Sequence, residues 1–323
     1  MNSINQALKQ VKISKPVSHA GLTLYPLIRD ALFNKDYLTL DEALANKTSV
    51  ITEVSEGGSV PELLFRNQGE QAVFLLDGEE LVGAKQNRIL NISILAPAMK
   101  DTVIPVSCVE AGRWHHSSND FSSAPRTQFS ASRAKRSAHV SADIAATGNR
   151  RSDQGEVWND ISAKLDSLGS RSATQAVESA FVDHDSKLNR FVEKLPSTEN
   201  QFGAIFSIGG RVAGMELFDS QQTCQALMPK IIRSYALDAI DPAFQGSGPQ
   251  NGQSPDSLLE SIQKAAIHEA PAVGEGKDLR FDTASGLAGG ALLARGRIIH
   301  LVAFAMARPS PQGSDRVYRR WAC

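Results

Sequence analysis

The chain has 323 residues, 41% of them hydrophobic and 21% charged, with a formal net charge of -1. These are globular values and allow a large core; they exclude a global field that would draw the chain to nucleic acid or a membrane surface. No apolar run approaches the roughly 18 residues of a spanning helix. The N-terminus lacks the basic-then-apolar order of a signal peptide. Three widely separated cysteines, Cys108, Cys224 and Cys323, suit a reducing cytoplasm better than a disulfide scaffold.

Residues 1–20 read as an N-terminal extension. Residues 21–112 read as strand-rich, with short apolar or alternating segments at 22–28, 49–54, 61–65, 72–76, 89–95 and 102–109. Turn chemistry separates them, at Glu56-Gly57-Gly58, Asn67-Gln68-Gly69 and Asp77-Gly78. A short helix is expected over 40–46, capped by Thr39 or Asp41. Residues 113–152 hold seven Lys or Arg against two acids and little apolar periodicity, so a long basic loop is expected. It reads either as a flap over a phosphate-bearing ligand or as a solvated insertion.

From 153 to 305 the pattern is helix and hairpin. Apolar residues recur at helical spacing from 154 to 195 and again over 221–239, where Pro229 interrupts. Ser254 and Pro255 open another helix lined by Leu258, Leu259, Ile262 and Ala266. The segments 203–218 and 290–304 share a Gly-Arg turn and align as two β-hairpins of one pattern. The hairpin expected over 73–85 is a candidate third copy. Residues 306–323 read as a tail. The fold class is therefore α+β, a strand-rich N-terminal half followed by helices flanking further hairpins.

The densest polar motif runs from Asp77 to Arg88, between apolar segments. With Asp77-Gly78 as a two-residue hairpin turn, Glu79 and Lys85 lie roughly 20 Å apart on a straight strand. The motif then divides into an acidic turn and a polar end made of Lys85, Gln86, Asn87 and Arg88. Only a bend near Gly83, or folding against Glu110 and Arg113, reunites them. Lys85 and Arg88 suit phosphate. Gln86, Asn87 and Asn91 suit a sugar or base edge. Glu79, Glu80 and Glu110 are the candidates for acid/base chemistry or for metal ligation. Arg113 and Trp114 follow Glu110 at the rim, where Trp114 either stacks on a base or buries. A surface hairpin with compensating charges is the structural alternative.

Other residues carry less. Cys108 reads as a buried strand cysteine. His115 and His116 point opposite ways on an extended chain, and no His or Cys spacing supports them as ligands, so no metal site is assigned. Glu216 is an inward carboxylate or an edge charge, and His300 a core histidine. The glycines around 285–296 do not form a dinucleotide fingerprint. Arg316, Arg319 and Arg320 with Tyr318 and Trp321 offer a possible nucleic-acid contact. No cofactor is assigned.

The stretch 76–88, the segment 104–114 with Gly112-Arg113-Trp114, Gly210-Arg211-Val212 through Asp219, the run 234–239 and the run 301–304 together resemble the ARG-and-rhodanese-phosphatase-superfamily-associated protein domain family. The resemblance spans roughly residues 20–305. It implies a role in binding or processing ADP-ribose-like or other phosphorylated nucleotides; with the cysteine usage, the expected location is cytoplasmic. It supplies no catalytic residues. A non-catalytic nucleotide sensor and an RNA-binding protein using 113–152 stand as alternatives.

Overall fold

The computed structural model describes residues 2–30, 33–55, 57–115, 118–245 and 254–306. Glu56, His116, the 246–252 loop, Cys323 and the C-terminal Arg316, Tyr318, Arg319, Arg320 and Trp321 lie outside the described residues. The described chain is α+β, as expected, with three sheets and helices around them.

The largest sheet is antiparallel and is built around the two C-terminal hairpins. Gln201–Ile208 pairs with Arg211–Phe218, and Leu287–Ala294 pairs with Arg297–Ala305. Each turns on two residues of positive φ, Gly209-Gly210 and Arg295-Gly296, the twist that suits a two-residue hairpin. Each also carries one register shift, at Phe206/Ser207 and at Leu292/Leu293. The second strands of the two hairpins pair with each other, Phe218 opposite His300. The repeat seen in the sequence is thus one continuous sheet. Leu22–Ile28 extends it on one side, and Lys277–Phe281 and Ile267–Pro271 on the other.

Alternation along the inner strands gives this sheet two buried faces. On one, Phe202, Ile205, Met215 and Leu217 pack with Ile4 and Leu8 of the helix Ser3–Lys9 and Leu258 and Ile262 of the helix Pro255–Lys264. On the other, Ala204, Phe206 and Phe218 pack with Leu227, Met228 and Tyr235 of the helix Gln221–Ala239. The rings of Phe206 and Tyr235 stack with centroids 4.0 Å apart. Pro229 sits inside that helix without ending it. The N-terminal residues are therefore core rather than an appendage: Lys12–Ile13 and Val17–His19 join the sheet as well.

The N-terminal half forms two further sheets. One has the order Phe121–Thr127, Glu79–Gly83, Arg88–Leu90, Lys100–Cys108, Glu62–Asn67, Ser49–Glu53. The other has Ala72–Leu75 between Ile94–Ala96 and a parallel Tyr37–Thr39. A third core lies between them, including Phe65, Leu81, Leu90 and Ile104 with Val73, Leu75 and Ile94.

Two expectations are corrected here. The strands on either side of Asp77-Gly78 do not form a hairpin; Ala72–Leu75 and Glu79–Gly83 belong to different sheets. The segment 89–95 likewise divides at Asn91 between Arg88–Leu90 and Ile94–Ala96. The tight turn is the point where the chain crosses from one sheet to the other, with the Gly78 N–H bonded to Leu90 O at 2.8 Å. The second correction is the basic loop. Residues 113–152 contain the strand Phe121–Thr127 and the helix Ser130–Thr147. Arg126, Arg133 and Arg136 are buried, which removes them from any phosphate-contacting surface. No helix among the described residues is long and apolar enough to cross a membrane.

Candidate functional site

The three acids of the motif fan out to three separate cations, each from a different element. Asp77 takes a hydrogen bond from Arg136 through Nη2. Burial alone pushes its carboxyl up, but the charges of Arg136 and Arg133 outweigh it and hold Asp77 below the usual carboxylate range. Glu79 accepts from Lys230 Nζ at 2.6 Å and from Ser123 Oγ at 2.9 Å, and Lys230 also reaches Asp41 at 2.7 Å. Glu80 accepts from Arg126 at 2.5 and 3.1 Å. All three acids are buried. The surface-hairpin alternative is thereby overturned, because in a buried setting an acid needs a paired cation.

Around Asp77 a chain of hydrogen bonds is closed into a ring by one longer ion pair. Arg133 Nη1 donates to Glu216 Oε1 at 2.7 Å. Glu216 Oε2 meets His300 Nε2 at 2.7 Å. His300 Nδ1 lies 2.8 Å from Ser93 Oγ, which accepts from the Asp77 N–H at 3.0 Å. Arg133 stands 3.9 Å from Asp77 Oδ2. The ring ties the sheet-crossing turn to both C-terminal hairpins and to the helix Ser130–Thr147. Ser93, His300 and Glu216 stand in the order of a nucleophile, base and carboxylate. The cavity that Ser93 and His300 border, shared with Asp77, Asp278 and Arg280, has a volume of about 10 Å³. That is room for a single water, so this line acts as a structural clamp rather than a substrate site.

Glu80 leads elsewhere. Arg126 also bonds Glu178 Oε1 at 3.1 Å, and Glu178 Oε2 accepts from Asn87 Nδ2 at 3.2 Å. The Asn87 N–H donates to Glu110 Oε2 at 3.1 Å. Arg113 donates to Glu110 at 2.9 Å, to Asn87 Oδ1 at 3.0 Å and to Ala84 O at 2.6 Å. Glu80, Asn87, Glu110 and Arg113 therefore meet in one polar cluster. The chain bends to allow this at Gly83, where φ is +140° and a Cβ would stand 2.5 Å from Asp120 O. Only glycine tolerates that approach. Glu79 faces the other way and does not join.

Within the cluster the carboxyls are driven apart. Burial pushes Glu80 up; Arg126 opposes it, and the nearby negative charges of Glu178 and Glu110 add to the rise. Glu110 also feels burial, but the hydrogen bonds from Arg113, Thr174 and the Asn87 N–H hold it below the usual range. Glu178 is only half-buried and is the member of the cluster most open to solvent.

At the rim, Trp114 keeps 48% of its surface exposed. Lys85 Nζ lies 5.6 Å from its ring centroid and the Arg88 guanidinium 5.7 Å, both within cation–π range. Lys85 also donates to Gly57 O at 2.7 Å. Arg88 is fully buried and takes one partner, Gln86 Oε1 at 3.0 Å; its Nε and Nη2 have no hydrogen-bond partner among the described residues. Burial lowers its pKa, with Cys108 and Glu53 pulling the other way.

Asn91 does not join this cluster. It donates to Arg150 O at 2.9 Å and accepts from Ser107 Oγ at 2.7 Å, bracing a strand end. Burial pushes the Cys108 thiol up to about 11, which leaves it an inert thiol. His115 is exposed. Among the described residues no three His, Cys, Asp or Glu side chains gather as metal ligands. Arg126, Glu178, Lys230 and Ser93 escape sequence reasoning; none sits in a motif, and their partners are distant in the chain.

These features define an α+β protein in which a signature turn anchors three sheets through buried ion pairs. The chain belongs to the ARG and Rhodanese-Phosphatase-superfamily-associated Protein domain family, whose model matches residues 10–304. No curated relative and no solved structure matches it.

Proposed function

We propose that the cluster beneath Trp114 binds and processes a small phosphorylated, ring-bearing molecule of the nucleotide or ADP-ribose type. One observation carries this reading: an exposed tryptophan flanked by Lys85 and Arg88 borders a cluster whose carboxyls are pushed in opposite directions. Trp114 offers a stacking face for a base. Lys85, half-buried at the rim, offers positive charge to phosphate, and the buried Arg88 guanidinium beside Trp114, with two unpartnered nitrogens, adds to the positive field there. Gln86 and Asn87 flank them with amide groups for a sugar or base edge. A family named for association with a phosphatase superfamily fits a phosphate-bearing ligand.

Opposed pKa shifts are the pattern expected of an acid and a base working together. Glu178 is the carboxylate placed to reach a ligand, with Glu110 behind it and Arg126 bridging it to Glu80. The test is a turnover assay on ADP-ribose, NAD and nucleoside phosphates with Glu178→Gln and Trp114→Ala. Loss of turnover with retained binding in Glu178→Gln supports catalysis. Unchanged turnover in both variants contradicts it.

A second reading is a non-catalytic sensor. It is favoured by the fact that Glu79, Glu80, Glu110 and Glu178 are each held by a cation or amide. A ligand that stabilises the protein and is never converted identifies that case.

A further inference from the structure

A second cavity, of about 300 Å³, opens at the other end of the large sheet, in the lower range of small-molecule sites. Its wall includes Gln6, Gln10, Arg29, Phe33, Asp219 and Arg297. Two of its charges are satisfied. Asp219 accepts from Tyr37 Oη at 2.5 Å and from Arg297 Nε at 2.8 Å. Arg297 also bonds Asp36 and lies 4.3 Å from the Phe33 ring centroid.

Arg29 differs. Its guanidinium lies 5.0 Å from the Phe202 ring centroid. It has no ion-pair partner among the described residues, and its Nε is buried without a hydrogen-bond partner. Burial lowers its pKa, with Asp219 pulling the other way. A guanidinium has five donors, and leaving one of them buried without a hydrogen-bond partner is costly.

The geometry points to a binding site for a small aromatic monocarboxylate, its two oxygens on the Arg29 fork and its ring in the cavity beside Phe33. Arg29 is the guanidinium on this wall with no bonded carboxylate among the described residues, which suits an anionic partner. The planar fork matches a carboxylate, while the Asp219 carboxylate on the same wall disfavours a dianion. Phe33, 41% exposed, supplies apolar surface for the ring. This site is independent of the cluster beneath Trp114.

Isothermal titration of the full chain with benzoate, nicotinate and indole-3-carboxylate tests it, with benzamide as the neutral control. At least one carboxylate binds in the millimolar range or tighter, and benzamide does not. Arg29→Met, which keeps the stem over Phe202, weakens binding by on the order of tenfold or more. Phe33→Ala, at a half-open position, weakens it as well and reads the site even if Arg29→Met misfolds. Trp114→Ala leaves it unchanged, which separates this site from the other. Binding of none of the three carboxylates, equal binding of benzamide, or full affinity in both Arg29→Met and Phe33→Ala overturns the proposal.

Discussion

Consecutive residues in the motif have unrelated partners, and that sets what each substitution does. Arg133 is fully buried and bonds Glu216. Arg133→Ala leaves that carboxylate uncompensated and should cost about 3–5 kcal/mol in denaturant unfolding. The double variant Arg133→Met with Glu216→Gln should cost clearly less than the sum of its singles, because both charges leave together. An additive result contradicts the pairing. Trp114→Ala, at an exposed site, should leave stability nearly unchanged while removing about 1–3 kcal/mol of stacking from any bound base. Of the residues expected at the site, Lys85, Gln86, Asn87, Arg88, Glu110, Arg113 and Trp114 do lie around one locus. Glu79 does not, because it faces the opposite side of its strand from Glu80, and Asn91 does not, because it lies just past Arg88–Leu90, where the chain leaves that sheet.

At the scale of elements, the helix Ser130–Thr147 shows why part of the fold was hidden. Its buried face includes Ser132, Arg133, Arg136, Ser137 and Ser141 beside a few apolar residues. Hydrophobic periodicity, which reveals amphipathic helices, is nearly silent when arginine faces the core. Its start is equally hidden. Phe129 provides no side-chain cap; instead Asp238, from the helix Gln221–Ala239, accepts from Ser130 Oγ at 2.5 Å and from the Ala131 N–H at 2.8 Å. A carboxylate there completes the orphan donors and complements the helix dipole. Asp238→Asn should therefore cost about 1–2 kcal/mol, read as a lower denaturant midpoint, and no change in midpoint contradicts the cap. The Thr39 capping box and the Ser254-Pro255 start, by contrast, follow local sequence rules and were legible. The helix Ser3–Lys9 was not, because seven residues carry too little periodicity to betray a tertiary contact. Burial of Leu8 there predicts a loss of about 2–5 kcal/mol for Leu8→Ala; a neutral result makes the N-terminus dispensable.

For the whole molecule, stability depends on charges that fold into the interior. Asp77, Glu110 and Asp241 have lowered pKa values. Their contribution is present above the unfolded carboxylate range, near pH 4, and is lost as pH falls through their folded values. Lys164 and Lys230 have raised values, so their contribution is present below about pH 10 and is lost at higher pH. Glu80 and Asp278 are raised. They favour the fold only when protonated, and their contribution fades as pH rises through the folded values, which trims stability at neutral pH. Urea midpoints against pH should show a plateau between these limits with a fall on both sides; a midpoint that keeps rising below pH 4 contradicts the assignment. The fold thus spends its motif on joining sheets and leaves, around Trp114, exposed aromatic surface beside positive charge. The most direct measurement is the thermal shift of the full chain with ADP-ribose, NAD and nucleoside phosphates. A ligand of the native state raises the midpoint by mass action. At least one of these ligands should raise it, and Trp114→Ala with Lys85→Ala should abolish the rise. No shift with any of them, or a shift that the double variant retains, contradicts the site.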